Sequence, residues 1–107
     1  MAKKPKPQQM LKEQAQKFLS KVSEEHVFWC HDGSTFRDMK ELAEGLVTMS
    51  DEVFTHHLNP EKNDFSNWVR DVIKDEKLAS DLAAATSKAQ AAGYVATRLT
   101  YLIVQVT

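Results

Sequence analysis

The chain has 107 residues, which fits one domain, and 42% of them are hydrophobic and 27% charged, as in a soluble globular protein. Only three Gly and three Pro are present, which disfavours an all-β fold with many short strands. The single Cys30 excludes an internal disulfide, and no apolar run approaches the ~20 residues that span a bilayer. No signal peptide is predicted, because no apolar region follows the first lysines. We therefore expect a cytoplasmic protein without a membrane segment.

Charge is unevenly distributed along the chain. Residues 1–22 contain six Lys and one Glu, a net charge of +5, whereas residues 23–107 contain eight basic and fourteen acidic side chains, a net charge of −6. Because prolines alternate with lysines there, residues 1–8 are predicted to form a disordered basic tail. The alternative is an arm that contacts nucleic acid or an acidic partner.

Apolar residues at helical spacing predict six amphipathic helices, over residues 9–23, 38–48, 51–58, 64–74, 76–85 and 87–104. Ser50 and Asp75 are predicted N-caps of the third and fifth helices, and Pro60 ends the third. The β-branched end of the chain, LTYLIVQVT, could form a strand instead of the last helical turns. The second helix is expected to bury Val47, and the fourth to expose Ser66.

One stretch, HVFWCHDGSTF, is not helical in character. Its aromatic and β-branched residues favour extended structure, and Asp32-Gly33 favours a two-residue turn. A hairpin of residues 27–30 with 34–36 is predicted, with an irregular loop anchored by aromatic residues as the alternative. The predicted fold is therefore mainly α, a compact bundle of five to six short helices over residues 9–107 with at most one small β-hairpin at about residues 27–36.

Three sequence blocks resemble a small domain of unknown function found in archaea and bacteria. They are Phe28-Trp29-x-x-Asp32-Gly33, then Leu42-Ala43-x-x-Leu46 with Met49-Ser50-Asp51-Glu52-Val53-Phe54, and then His56-His57-x-Asn59 running into Lys62-Asn63-Asp64-Phe65-x-Asn67-Trp68-Val69-Arg70-Asp71-Val72. The similarity covers about residues 26–85. The resemblance implies a compact, mainly helical module, alone or attached to larger proteins, and it carries no assigned activity.

Two adjacent pairs, Cys30-His31 and His56-His57, are the candidates for a metal or catalytic site. Neighbours on a helix point about 100° apart and do not chelate one ion as an i, i+4 pair does. Neighbours on a strand point to opposite faces, so Cys30 and His31 do not form a nucleophile with its base. No CxxC or HExxH spacing occurs. We predict no catalytic residue, no metal and no cofactor.

A polar group precedes and enters the fourth helix: His56, His57, Asn59, Asn63, Asp64 and Asn67. A helix N-terminus with Lys62 beside it can hold an anion. The interpretation that we favour is a capped helix and a loop held by Asx turns. In that interpretation one histidine is buried against a backbone carbonyl, Asp64 or Asn63, and the other is exposed.

The absence of catalytic motifs and the two amphipathic end helices predict a non-catalytic protein–protein interaction or assembly module, which binds a protein partner or itself. The predicted contact residues are Leu11, Phe18, Trp29, Tyr94 and Leu99. Most aromatic residues are expected in the core, and Trp29, beside the turn, is expected to remain partly exposed.

Two other functions are kept as alternatives. The first is an accessory protein of a nucleic-acid particle such as the ribosome, whose phosphates would be contacted by Lys3, Lys4, Lys6 and Lys12. The second is a small-ligand or metal sensor built on Cys30, His31 and the histidine pair.

Overall fold

Six α-helices supply most of the structure of residues 11–107, the part of the chain that the computed structural model describes. They are α1 Lys12–Leu19, α2 Met39–Thr48, α3 Asp51–His57, α4 Asp64–Trp68, α5 Glu76–Ala83 and α6 Lys88–Val106. A 3-10 turn, Glu24–His26, follows α1, and a π-helical turn, Val69–Ile73, continues α4. The predicted mainly α fold is confirmed. The predicted basic tail, residues 1–8, lies outside the described residues.

Five of these helices begin at a polar side chain that accepts a hydrogen bond from the backbone N–H three residues further on: Asp38, Ser50, Asn63, Asp75 and Ser87. Such a cap satisfies one of the N–H groups that have no partner within the first helical turn. The predicted caps Ser50 and Asp75 are therefore confirmed. α1 begins at Leu11 without a side-chain cap.

Two very short antiparallel strand pairs lie between the helices. β1 Phe28–Trp29 pairs with β2 Thr35–Phe36, so the predicted hairpin forms, and Gly33 in its turn has φ of +92°. A second pair, β3 Leu58–Asn59 with β4 Lys62–Asn63, adds to the predicted fold. The Asn59 side chain closes this turn by accepting a hydrogen bond from the N–H of Glu61 at 3.0 Å.

The core lies between α6 and the rest of the domain, because α1, α2 and α5 all pack against α6. Ala91, Val95 and Leu102 of α6 are fully buried, and the β-branched end of the chain is helical rather than a strand. Within the described residues, no helix is long and apolar enough to cross a membrane.

Two burial predictions were wrong. Val47 is 70% exposed, since the buried face of α2 turns toward Gly45, where the ring of Phe36 packs so closely that a side chain would collide with it. Ser66 is buried, and its Oγ donates a hydrogen bond of 2.7 Å to the carbonyl of Ala79 in α5. The serine therefore joins α4 to α5 instead of facing solvent.

Candidate functional site

His57 is the centre of the polar group that the sequence singled out. The side chain is buried, its Nε2 accepts a hydrogen bond from the backbone N–H of His31, and its Nδ1 bonds Oδ2 of Asp64, both at 2.9 Å. Because Nε2 is an acceptor, Nδ1 carries the hydrogen and donates it to the carboxylate. The imidazole thereby ties the β1–β2 loop to α3 and to the start of α4.

Asp64 receives a second bond, from Nζ of Lys62 at 3.0 Å. Partial burial by itself would raise the pKa of Asp64, but the hydrogen bonds from His57 and Lys62 together outweigh it and hold that pKa below its usual value. The carboxylate is thus charged and bonded within the fold. The predicted arrangement, with one histidine buried against a neighbouring polar side chain, is confirmed.

The asparagines of the same group also bond within the domain. Asn63 caps α4 and donates from Nδ2 to the carbonyl of Leu82 at 2.9 Å, which fixes α4 against α5. Asn59 donates to carbonyls in the last turn of α3, and the exposed Asn67 accepts a bond from Arg70. The capping interpretation accounts for these contacts without a bound anion.

His31 and His56 form the exposed edge of this group, and their rings stack with centroids 3.8 Å apart. Desolvation, followed by positive charge on His31 and Lys62, lowers the pKa of His56. Among residues 11–107, no three His, Cys, Asp or Glu side chains are grouped so that they could hold a metal ion. Cys30 lies in the core, where burial raises the pKa of its thiol and disfavours the nucleophilic thiolate.

A different surface feature lies along α1, where this helix faces the end of the π-helical turn. Two open depressions, of about 400 Å³ and 670 Å³, adjoin there. Both are lined by Lys17 and by residues 72–74, so they form one continuous surface. We call it the α1 groove.

The α1 groove has two chemically different ends. Its apolar end is lined by Leu11, Phe18, Val72 and Ile73, of which Leu11 is 53% exposed. Lys17 and Lys74 line both depressions, as Val72 and Ile73 do. Lys21 lines only the smaller depression, which we call the basic end, and all three lysines are exposed. An apolar floor beside a few charged groups is the usual composition of a site that binds a ligand or a partner segment.

The backbone of Lys74 has an unusual conformation. It ends the π-helical turn in the left-handed region, with φ of 74°, and its N–H bonds the carbonyl of Val69 at 2.7 Å. Asp75 follows at once as the cap of α5, so a single residue must turn the chain between two helices. Positive φ at a residue other than Gly, and π-helical turns, both occur preferentially at functional positions.

The structure separates the predicted contact residues. Leu11 and Phe18 both line the α1 groove, although Phe18 is only 8% exposed and belongs mainly to the core. Trp29 is 71% exposed on the hairpin, as expected, and lines neither depression. Tyr94 and Leu99 are partly buried against the core. Leu11 and Phe18 are therefore the members of the predicted set that line the groove.

The predicted phosphate contacts are placed only in part. Lys12 is exposed on α1, whereas Lys3, Lys4 and Lys6 lie outside the described residues. The sequence analysis missed the groove residues Val72 and Lys74. A usable signal was the predicted cap at Asp75 directly after the fourth helix, since so short a connection requires a left-handed residue.

Comparisons with known proteins found no match for the chain among protein-family models, curated proteins or solved structures. The similarity to an archaeal and bacterial domain therefore stays a prediction from the sequence blocks.

Proposed function

We propose that the protein is a non-catalytic interaction module and that a segment of a protein partner docks in the α1 groove. The observation that carries the proposal is the continuity of the groove, with the exposed Leu11 at one end, Lys21 at the other, and Lys17 and Lys74 along both depressions. α1 is one of the two end helices for which the sequence predicted this role.

The bonding of the remaining polar residues supports a role without catalysis. A general base needs a free lone pair within reach of a substrate proton, but both ring nitrogens of His57 are bonded within the fold. The Asp64 carboxylate is bonded by two donors, and the thiol of Cys30 is buried. These three side chains therefore each have a structural contact that accounts for them.

Site-directed photo-crosslinking in the native host tests the proposal. A photoreactive residue replaces Gln14, an exposed side chain that lines the apolar end, and a matched control replaces Thr97, an exposed side chain on α6. We expect a defined protein adduct at position 14 that is absent at position 97. In a second experiment, Val72→Asp in the position-14 protein should remove the adduct, because it places a charge in the apolar end.

The other possible crosslinking results also support or contradict the proposal. An adduct of this chain with itself at position 14 supports the assembly form of the proposal. Equal adducts at both positions, or no protein adduct at position 14, would contradict it. Far-UV circular dichroism of each variant shows whether a lost adduct reflects lost folding.

A nucleic-acid particle is the second candidate function, and it is favoured by three exposed lysines in or directly after α1, Lys12, Lys17 and Lys21. Phosphate contacts give a steep salt dependence, with log K falling by about 0.7 per contact on single strands against log salt. RNA that crosslinks at position 14 and is released by salt would support this alternative and contradict the first.

A further inference from the structure

We infer that the occupant of the α1 groove is an acidic peptide segment, in which an apolar side chain is followed by carboxylates. This inference rests on the proposed function, because it specifies the chemistry of the partner at the same groove. The apolar side chain packs near Leu11 and Val72, and the carboxylates pair with Lys17, Lys21 and Lys74.

The distribution of unpaired cations carries the charge part of the inference. Six other Lys and Arg side chains in residues 11–107 form ion pairs with carboxylates of the fold: Arg37, Lys62, Arg70, Lys77, Lys88 and Arg98. The three groove lysines have no such partner among the described residues, and in that range only Lys12 and Lys40 share this property. Three of the five unpaired lysines of the described residues thus line one groove, and Lys21 lies at one end of it.

The acidic side chains beside the groove do not neutralise that end. Asp71 lines the basic end but pairs with its neighbour Arg70 at 3.1 Å, and Glu13 lines only the depression that Lys21 does not line. Since opposite charges attract while like charges across an interface repel, this asymmetry orients an incoming segment with its carboxylates toward Lys21. It also disfavours the basic first residues of this chain as the occupant.

The side chains at the apolar end favour a peptide over a nucleic acid as the occupant of the groove. Single-stranded nucleic acids are held by bases that stack on exposed aromatic side chains, in addition to phosphate contacts. The aromatic ring at the apolar end is that of Phe18, and it is 8% exposed. Leu11 and Val72 instead present aliphatic surface, which suits a Leu, Ile, Val or Phe side chain of a peptide.

The test uses a phage-displayed library of random peptides, about three helical turns in length, selected on the full chain. Enriched peptides are synthesised, and their affinities are measured by fluorescence anisotropy for the wild type and for Lys17→Glu/Lys21→Glu. The matched control is Lys12→Glu/Lys40→Glu, which reverses the two unpaired lysines outside the groove and changes the net charge equally. Leu11→Asp tests the apolar end.

We expect enriched peptides in which an apolar residue precedes two or more Asp or Glu. Their affinity should fall at least about tenfold in Lys17→Glu/Lys21→Glu, as expected for the loss of close charge pairs. It should fall much less in the control, because Lys12 and Lys40 line neither depression. Circular dichroism confirms that each variant is folded.

Failures of the two proposals are distinguishable. Neutral or basic peptides that still lose affinity in Leu11→Asp would overturn the acidic partner and leave the groove as the docking site. Peptides that are insensitive to both groove variants would overturn both proposals. If peptides are not enriched on the wild type more than on Lys17→Glu/Lys21→Glu, the acidic partner is overturned. The photo-crosslinking experiment then tests the proposed function. Tighter binding of a single-stranded RNA through the same lysines would also overturn it.

Discussion

The polar group around His57 and the basic end of the α1 groove differ in how their hydrogen-bonding and charged groups are satisfied. Around His57, ring nitrogens, carboxylate and amides bond one another and the backbone of His31 and Leu82. In the groove, Lys17, Lys21 and Lys74 have no ion-pair partner among residues 11–107. The polar side chains of His57, Asp64 and Asn63 are therefore bonded within the fold, whereas the three lysines without ion pairs come from α1, the segment after it and the end of the π-helical turn.

This comparison predicts opposite responses to mutation. Side chains whose partners lie within the fold should affect stability when they are removed. Side chains without such partners should affect binding and leave stability nearly unchanged. Four predictions test this division, in order of decreasing effect on the free energy of unfolding.

The largest effect is expected from Arg98→Met. Arg98 holds Asp75, whose side chain is 1% exposed, through two hydrogen bonds of 2.8 and 3.0 Å. Removing one member of a buried pair leaves the other charge buried and uncompensated, which costs about 3–5 kcal/mol. Urea denaturation measures this loss, with Arg70→Met as the control. Arg70 pairs with the exposed Asp71, so its loss should change stability far less, because solvent screens an exposed ion pair.

A loss below about 1 kcal/mol in Arg98→Met would contradict the assignment of Asp75 as a buried charge compensated by this arginine. The double variant Asp75→Asn/Arg98→Met offers a further check. Removing both charges should restore part of the stability, because the uncompensated carboxylate is gone.

The second largest loss of stability is expected from His57→Ala. The variant removes the acceptor of the His31 N–H and a donor to Asp64, and groups left without partners cost about 1–3 kcal/mol. Hydrogen exchange at the amide of His31 should become faster in proportion. His56→Ala is the matched control, since this exposed side chain makes ring contacts only. Equal losses in the two variants would show that the network is not the stabilising contact.

Acidification should destabilise the protein through the same region. The pKa of His56 is lowered from its ordinary 6.5 in the folded protein, so the unfolded chain takes up a proton first as the pH falls. The contribution of His56 to stability is therefore present above pH 6.5 and is lost as the pH falls through the folded pKa. The lowered pKa of Asp64 acts in the same direction below its ordinary 3.8. Denaturation between pH 7 and 5 should show a smaller fall in His56→Gln than in the wild type. A larger fall of stability in His56→Gln than in the wild type would contradict the predicted contribution of His56.

The sequence predicted those features that depend on neighbours along the chain. Helix starts at Ser50 and Asp75 follow from a side chain bonding an N–H three residues away, and the hairpin follows from Asp32-Gly33. The pairing of His57 with Asp64 was also within reach, because the two residues lie at the ends of one short connection. Local chemistry is sufficient for such contacts.

Features that require distant segments to meet were not predictable. The Asp75–Arg98 pair joins residues 23 positions apart, and the hydrogen bond from Trp68 Nε1 to the carbonyl of His26 joins residues 42 apart. The α1 groove likewise exists only because α1 lies against the π-helical turn. Single-sequence periodicity places Lys74 on a polar helix face but does not show that Lys17 and Lys21 lie beside it.

The smallest effect on stability, and the one that links stability to binding, is expected from Lys74→Gly. A non-Gly residue in the left-handed region costs about 1–2 kcal/mol. Glycine relieves this strain but loses about 0.5–1 kcal/mol through the greater freedom of the unfolded chain. The variant should thus gain up to about 1 kcal/mol in urea denaturation. Lys40→Gly is the matched control, because this exposed lysine has helical geometry and its replacement should lose about 1 kcal/mol.

Lys74→Gly should also bind the selected acidic peptides more weakly, while Lys40→Gly should bind them as the wild type does. A gain in stability with a loss of affinity would mean that the lysine is kept at a strained position for its charge, as is common where a site trades stability for function. A stabilised variant with unchanged affinity would mean that the left-handed backbone at Lys74 results only from the short connection to α5. In that case the basic end of the α1 groove would consist of Lys17 and Lys21, both supplied by the α1 side of the groove.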